Sequence, residues 1–334
     1  MTCVKNAPCC EVERGEVMKK TWYLIIGVVL LVIGCIAYGY HEHHKPKTAQ
    51  ELKTVRVAYL PITHALPVFA TKELETADGP VHVELVKYGS WPELMDALNT
   101  GQVDAASVLV ELGVKAREQG IDVRAAALGH TEGNIIIVNK DINSVQDLKG
   151  KSFAIPHKQS TQKVLVDCML EEAGLSEKDV QIVEMSPPEM PSALSVGQIA
   201  GYSVAEPFGS LALEMGTGKV FEDPDHLWHD NICCALVFNG QFVDEHHDLA
   251  KAFTKAYLDA GTYLDEHPKA QEEISSKYMK FNDPVIERSL KVIGFKDLAL
   301  TEDRYNALVH HMTHIDLIKK VPSYSEFVDT SLLP

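Results

Sequence analysis

The stretch "ELMDALNTGQVDAASV", Glu93 to Val108, recurs as "EMPSALSVGQIAGYSV", Glu189 to Val204. Both fit Glu-(Leu/Met)-x-x-Ala-Leu-x-x-Gly-Gln-(Val/Ile), and each reads as the end of a helix, a glycine stop and the start of a strand. Gly101 and Gly197 sit where a helix commonly ends in a left-handed residue, a conformation glycine reaches without steric cost. Self-similarity of this kind sets the architecture before any single motif does.

Upstream of the repeat, "VAYLPITH" (Val57 to His64) is matched by "SFAIPHKQST" (Ser152 to Thr161): a strand, a proline, a polar loop and a threonine at the mouth of a helix. Pro61 stands 36 positions before Ala97, and Pro156 stands 37 before Ala193. One strand-loop-helix-strand-helix-strand unit therefore occurs twice. In the first copy strands are expected at 55–60, 81–88 and 103–108, with helices at 65–75, 91–99 and 111–119. The second copy puts strands at 152–155, 180–184 and 199–204, and helices at 162–173, 190–196 and 209–215. Strands alternating with helices predict an α/β protein of two Rossmann-like lobes with a ligand cleft between them.

In open α/β sheets a ligand sits beyond the carboxyl ends of the strands, where loops lead into helix N-termini. On that rule the candidates are Thr63, His64, Ser90, Trp91 and Ser107 in the first copy, and Ser160, Thr161, Ser186 and Glu206 in the second. Thr63, Ser90 and Ser160 suit helix N-caps equally well, Trp91 suits a core, and Glu206 suits a structural carboxylate. Free N–H groups at helix N-termini favour an anion. No arginine stands in these loops, so a bidentate clamp on a sulfonate is not visible. Hydroxyl, amide, indole and imidazole donors suit a small neutral polar solute as well as an oxyanion.

The N-terminal segment indicates the compartment. "MKKTWYLIIGVVLLVIGC", Met18 to Cys35, has a positive start, an apolar core and Gly34-Cys35, the pattern of an export signal. Val32-Ile33-Gly34-Cys35 resembles the lipobox of bacterial lipoproteins, which makes Cys35 the expected lipidation site. The apolar run from Thr21 to Tyr40 also has the length of a membrane-spanning anchor. Either way the rest of the chain is placed in the cell envelope, on the extracytoplasmic side of the membrane. Residues 1–17, with Glu11, Glu13, Glu16 and three cysteines, fit no such signal and read as a mis-assigned extension ahead of a true start at Met18. Residues 41–54 read as a polar linker, its histidines His41, His43 and His44 solvated.

At 334 residues, 46% hydrophobic and 23% charged, the chain is globular and long enough for two lobes. A net charge of −16 without a basic run excludes nucleic acid as a partner. Of seven cysteines, Cys3, Cys9, Cys10 and Cys35 lie in the leader, leaving Cys168, Cys233 and Cys234. That sparse, odd set is no disulfide framework and reads as buried, inert thiols. His310 and His314, spaced i, i+4 in "HHMTH", could ligate zinc but read as a solvated helix face, so no metal site and no cofactor is expected.

The stretches "YLPITHALPVFATKE", "DLKGKSFAIPHKQSTQKVLVDCMLEEAGL", "GQIAGYSVAEPFGSLALEMGTGKV" and "ICCALVFNGQFVDEHHDLAKAFTKAY" resemble solute-binding proteins of nitrate, sulfonate and taurine ABC importers, over about Val55 to His267. The resemblance implies a type 2 periplasmic-binding-protein fold whose chain crosses twice between lobes. Residues 55–131 plus 235–334 would then form lobe one and 134–234 lobe two. It implies capture of a small solute (a nitrate-, sulfonate-, taurine- or bicarbonate-like anion, or a small polar heterocycle) and delivery by a monomer to an ABC permease driven by its ATPase. It also brings His130 and Asn134, at the first crossing, into the candidate site. An enzyme on the same fold, of the thiamine-pyrimidine synthase kind, is the alternative; a non-enzyme is expected.

Overall fold

The structure is a computed structural model that describes residues 22–23, 26–32, 34 and 53–334. The chain divides into an N-terminal unit, Met1–Leu52, and a compact unit, Lys53–Pro334. The described residues of the first unit are helical. Cys35 and the linker histidines lie outside the described residues. Among those described, no helix is long and apolar enough to cross a membrane.

Twelve strands lie in the second unit: β1 Thr54–Tyr59, β2 His82–Lys87, β3 Ala105–Leu109, β4 Val123–Leu128, β5 Thr131–Glu132 and β6 Asn134–Asn139, then β7 Ser152–Ile155, β8 Gln181–Glu184, β9 Gly201–Ala205, β10 Gly218–Val220, β11 Cys234–Asn239 and β12 Ile293–Gly294. They form two five-stranded sheets, ordered β2-β1-β3-β11-β4 and β10-β6-β9-β7-β8, plus the small pair β12-β5. Reversing the second order gives β8-β7-β9-β6-β10, the same arrangement as the first. In each sheet the fourth strand is antiparallel to its neighbours and arrives from the other half of the chain.

The register repeats as well as the order. Val57 pairs with Ala105 in one sheet and Phe153 with Gly201 in the other, each member displaced by 96 positions. Gly101 and Gly197, also 96 apart, both take φ +72, the helix stop read from the sequence. Central strands such as β6 (NIIIVN) and β11 (CALVFN) are nearly continuous apolar runs because helices cover both faces. The edge strands β2 and β8 keep exposed polar residues.

The chain passes between sheets at residues 129–133 and again at 221–233. After β11, the 20-residue helix His247–Glu266 buries Phe253, Tyr257, Ala260 and Leu264 and packs on the helix Leu66–Leu74. Burial of Phe253 and of Leu264 contributes about 1.5–3 kcal/mol each. The helix Asp283–Ser289 then packs against Phe208–Glu214 of the second lobe, with Arg288 bonding Ser210 O at 3.3 Å. β12 pairs with β5 at the first crossing, so the C-terminal layer touches both lobes and a crossing.

Candidate ligand site between the lobes

β1 ends at Tyr59, and the turn beyond Pro61, Thr63–Ala65, carries its first two side chains fully inward. Thr63 donates both its amide and its hydroxyl to Glu206 O of the opposite lobe, each at 2.9 Å. The Glu206 carboxylate turns away and accepts from the amide and hydroxyl of Ser210 at 2.8 Å each. Its role here is structural. Burial pushes its pKa up, and the Ser210 bonds only partly offset that.

Thr161 makes the reciprocal contact from lobe two. Its hydroxyl lies 2.6 Å from Glu111 Oε1 and 2.8 Å from Ile232 O. One hydroxyl has a single proton and cannot donate to both. The arrangement is satisfied when Glu111 is protonated and donates to Thr161, which then donates to Ile232. Complete burial, followed by the neighbouring Cys233, pushes the Glu111 carboxyl well up and agrees with that state.

A ladder of buried amides joins these two ends. Gln162 donates to Asn134 Oδ1 at 2.7 Å, Asn134 to Asn231 Oδ1 at 3.0 Å, and Asn231 to Trp228 O at 3.2 Å. Gln162 also approaches Cys233 Sγ at 3.4 Å.

Beside the ladder, His64, His130, Cys233 and Cys234 converge, every residue at most 1% exposed. Their donor atoms lie within 4.8 Å of one another, and among the described residues this is the one set of His, Cys, Asp or Glu so gathered. His64 Nε2 faces Gly133 O at 2.9 Å, and its Nδ1 faces Cys233 Sγ at 3.6 Å and Cys234 Sγ at 3.5 Å. The two sulfurs are 3.9 Å apart, and the two imidazole rings lie with centroids 3.6 Å apart, tilted by 33°. Burial, then His64, lowers the His130 pKa to about 4 and keeps its ring neutral. Burial opposes a Cys233 thiolate, but Cys234, His64 and His130 outweigh it and hold that thiol well below its usual range. Cys234 is pushed well up, by burial and then by Cys233.

Of the sequence candidates, Thr63, His64, His130, Asn134, Thr161 and Glu206 meet here. Ser160 caps the helix Thr161–Glu172, accepting from Lys163 N at 3.1 Å. Ser90 stands at the N-cap of Trp91–Asn99 without a side-chain cap bond, and Trp91 packs in the core with Nε1 unpartnered. Ser107 is buried in β3. Cys233 and Cys234 are buried, as read from the sequence, yet they face two histidines and are not isolated in apolar packing. Sequence reading also missed Glu111, Gln162 and Asn231. His311 packs on Trp228 and His314 bonds Glu171 at 3.2 Å.

Two matching sheets, a double crossing and a buried polar seam define a two-lobed binding protein of the periplasmic kind. The chain belongs to the NMT1-like family, which it matches over residues 48–278. It is 35% identical to the ligand-binding component of an ABC-type import system from Staphylococcus aureus, solved with zinc bound, with a TM-score of 0.80 over 84% of this chain and 97% of that one. It is 29% identical to a taurine-binding periplasmic protein of Escherichia coli, over 62% of this chain and 65% of that protein. A nitrate import ATP-binding protein of Synechocystis is 25% identical over 65% of this chain, which spans only 36% of that protein's length. Its family and fold are those of solute-binding proteins.

Proposed function

We propose that this chain is a monomeric extracytoplasmic capture subunit, held at the membrane by lipidated Cys35 or by its N-terminal helix, that shuts its lobes over a small solute and presents it to an ABC permease driven by an ATPase. The observation that carries the reading is the reciprocal closure at the seam: Thr63 of lobe one bonded to Glu206, and Thr161 of lobe two bonded to Glu111. Bonds of this kind exist only in the shut form, so closure trades hinge strain against contacts made by both lobes. Catalysis is not part of the proposal: the seam binds and releases.

The relatives are named for nitrate and taurine, and the Staphylococcus component carries zinc. Among the described residues the seam gathers two carboxyls and two thiols, with Arg288 reaching Ser210 O beside Glu206, a composition that suits a cation or a neutral solute better than an oxyanion. The test is reconstitution with a cognate permease and ATPase. ATP hydrolysis in proteoliposomes should rise when the chain is added with one of nitrate, bicarbonate, taurine, an alkanesulfonate or zinc. A rate unmoved by all of them would sink the importer assignment.

A further inference from the structure

We propose that His64, His130, Cys233 and Cys234 form a four-coordinate site for one thiophilic divalent cation of the zinc class, and that this ion is the importer's cargo. The cargo clause rests on the capture-subunit reading above; the site itself rests on geometry alone.

Tetrahedral zinc with bonds of about 2.3 Å to sulfur and 2.0–2.1 Å to nitrogen sets its ligand atoms roughly 3.8 Å apart for sulfur–sulfur and roughly 3.6 Å for sulfur–nitrogen. Here the sulfurs are 3.9 Å apart and His64 Nδ1 lies 3.6 and 3.5 Å from them. Three of the six tetrahedral edges are therefore already at metal-site length. A disulfide would need the sulfurs at about 2.05 Å.

The surroundings are those of a ligand set. His64 spends its Nε2–H on Gly133 O, which leaves the Nδ1 lone pair aimed at the space between the sulfurs. An outer carbonyl that fixes the tautomer in this way is what metal-binding histidines usually have. Gln162 donates to Cys233 Sγ, and Gln162 Oε1 and His130 Nδ1 are buried without a hydrogen-bond partner; His130 Nε2 accepts from the Cys234 amide at 3.4 Å, a bond the ring gives up if it ligates through Nδ1. Two thiolates, two neutral imidazoles and a divalent ion sum to zero charge, as a seam this dry requires.

Placement assigns the ion as cargo. Its ligands come from the lobe-one loop and from both crossings, and Gln162 of lobe two bonds a ligand sulfur, so opening the lobes strips the outer shell from the site. A cavity of about 390 Å³ abuts Gly133, Asn134 and Asn231, and is lined by Glu132, Glu222, Asp223 and Asp225 against a single Lys291. Such a mouth attracts cations.

The experiment uses protein stripped by chelator and kept reduced. Cobalt(II) should bind at one equivalent with tetrahedral d–d bands and thiolate charge-transfer absorption, and zinc should displace it. An octahedral spectrum, or no binding, overturns the site. Changing Cys233→Ser or Cys234→Ser should weaken zinc binding at least about 100-fold with circular dichroism unchanged; undiminished binding overturns the site. If those variants do not fold, Gln162→Leu, which leaves all four ligands, should weaken zinc binding roughly tenfold as outer-shell losses do, and unchanged affinity counts against the proposal. In proteoliposomes, stimulation of ATP hydrolysis by the zinc-loaded chain supports the cargo assignment. Zinc binding without stimulation overturns that assignment. Stimulation by nitrate or taurine in its place keeps the importer reading and removes the metal, whereas silence with every probe removes the importer reading itself.

Discussion

Set side by side, the two halves of the molecule share a frame and differ in chemistry. A shift of 96 positions maps Gly101 onto Gly197, Ser107 onto Ser203 and Gly113 onto Gly209, and the two serines are alike even in having buried hydroxyls without partners. At the crossing strands the same correspondence sets Cys234 opposite Asn134, since Cys234 pairs with Leu109 and Asn134 with Ala205, the last residue of the third strand in each sheet. Lobe one and the crossings thus bring imidazole and thiol to the seam beside the Thr63 hydroxyl and the Asn231 amide, whereas lobe two brings hydroxyl and amide without imidazole or thiol. Duplicated backbone supplies the hinge geometry, and the division of labour between holding a solute and latching over it resides in a few residues at strand ends.

The frame is tested most directly at its matched pair of helical glycines, Gly113 and Gly209. A Cβ on Gly209 would come within 2.2 Å of Ile135 Cγ2, and one on Gly113 within 2.9 Å of the Phe327 ring. Alanine at an exposed helix position would gain up to about 1 kcal/mol over glycine; here overpacking of about 1–3 kcal/mol wins. Gly209→Ala should lower the urea midpoint more than Gly113→Ala, because a nearby ring tip can shift more easily than a branched side chain pressed at its root. Equal losses would mean that the two helix contacts are interchangeable after all.

The frame was legible in the sequence and the chemistry only partly so. The repeated Gly-Gln turn, the strand alternation and the paired loops all express local constraints, namely left-handed φ, period-2 burial and loop-to-helix transitions, and local constraints print themselves on neighbouring residues. Thr63, His64 and Thr161 were found because each follows a strand end. Cys233 and Cys234 were seen but read as inert, since their partners His64 and His130 lie more than a hundred residues away. Only the double crossing brings those segments together, and no spacing rule reports it. Glu111 and Gln162 lie inside helical turns, where a buried polar residue looks like any other member of an amphipathic pattern.

The latch comes next in size. Thr161→Val leaves both Ile232 O and the Glu111 carboxyl without the hydroxyl that joins them, a buried loss of about 1–3 kcal/mol. Thr63→Val removes one bond, but the amide bond to Glu206 O remains, so about 0.5–1.5 kcal/mol is expected. Small-angle scattering should show a larger radius of gyration for Thr161→Val than for Thr63→Val. The reverse order would place the dominant latch in lobe one.

The smallest difference tests how far the repeat extends into side-chain detail. Ser90 and Ser186 are 96 positions apart, and each is followed three residues later by glutamate, Glu93 and Glu189. Ser186 closes a full capping box: its side chain accepts from the Glu189 backbone while the Glu189 carboxylate accepts from the Ser186 amide at 3.3 Å and from its hydroxyl at 2.7 Å. Ser90 has the extended backbone of an N-cap but no cap bond from its side chain. Replacing a bonded cap by alanine costs typically about 1 kcal/mol, so Ser186→Ala should lower the melting temperature by a few degrees, while Ser90→Ala should leave it nearly unchanged. If Ser90→Ala costs as much as Ser186→Ala, the cap operates in both lobes and the asymmetry is confined to the residues that face the seam.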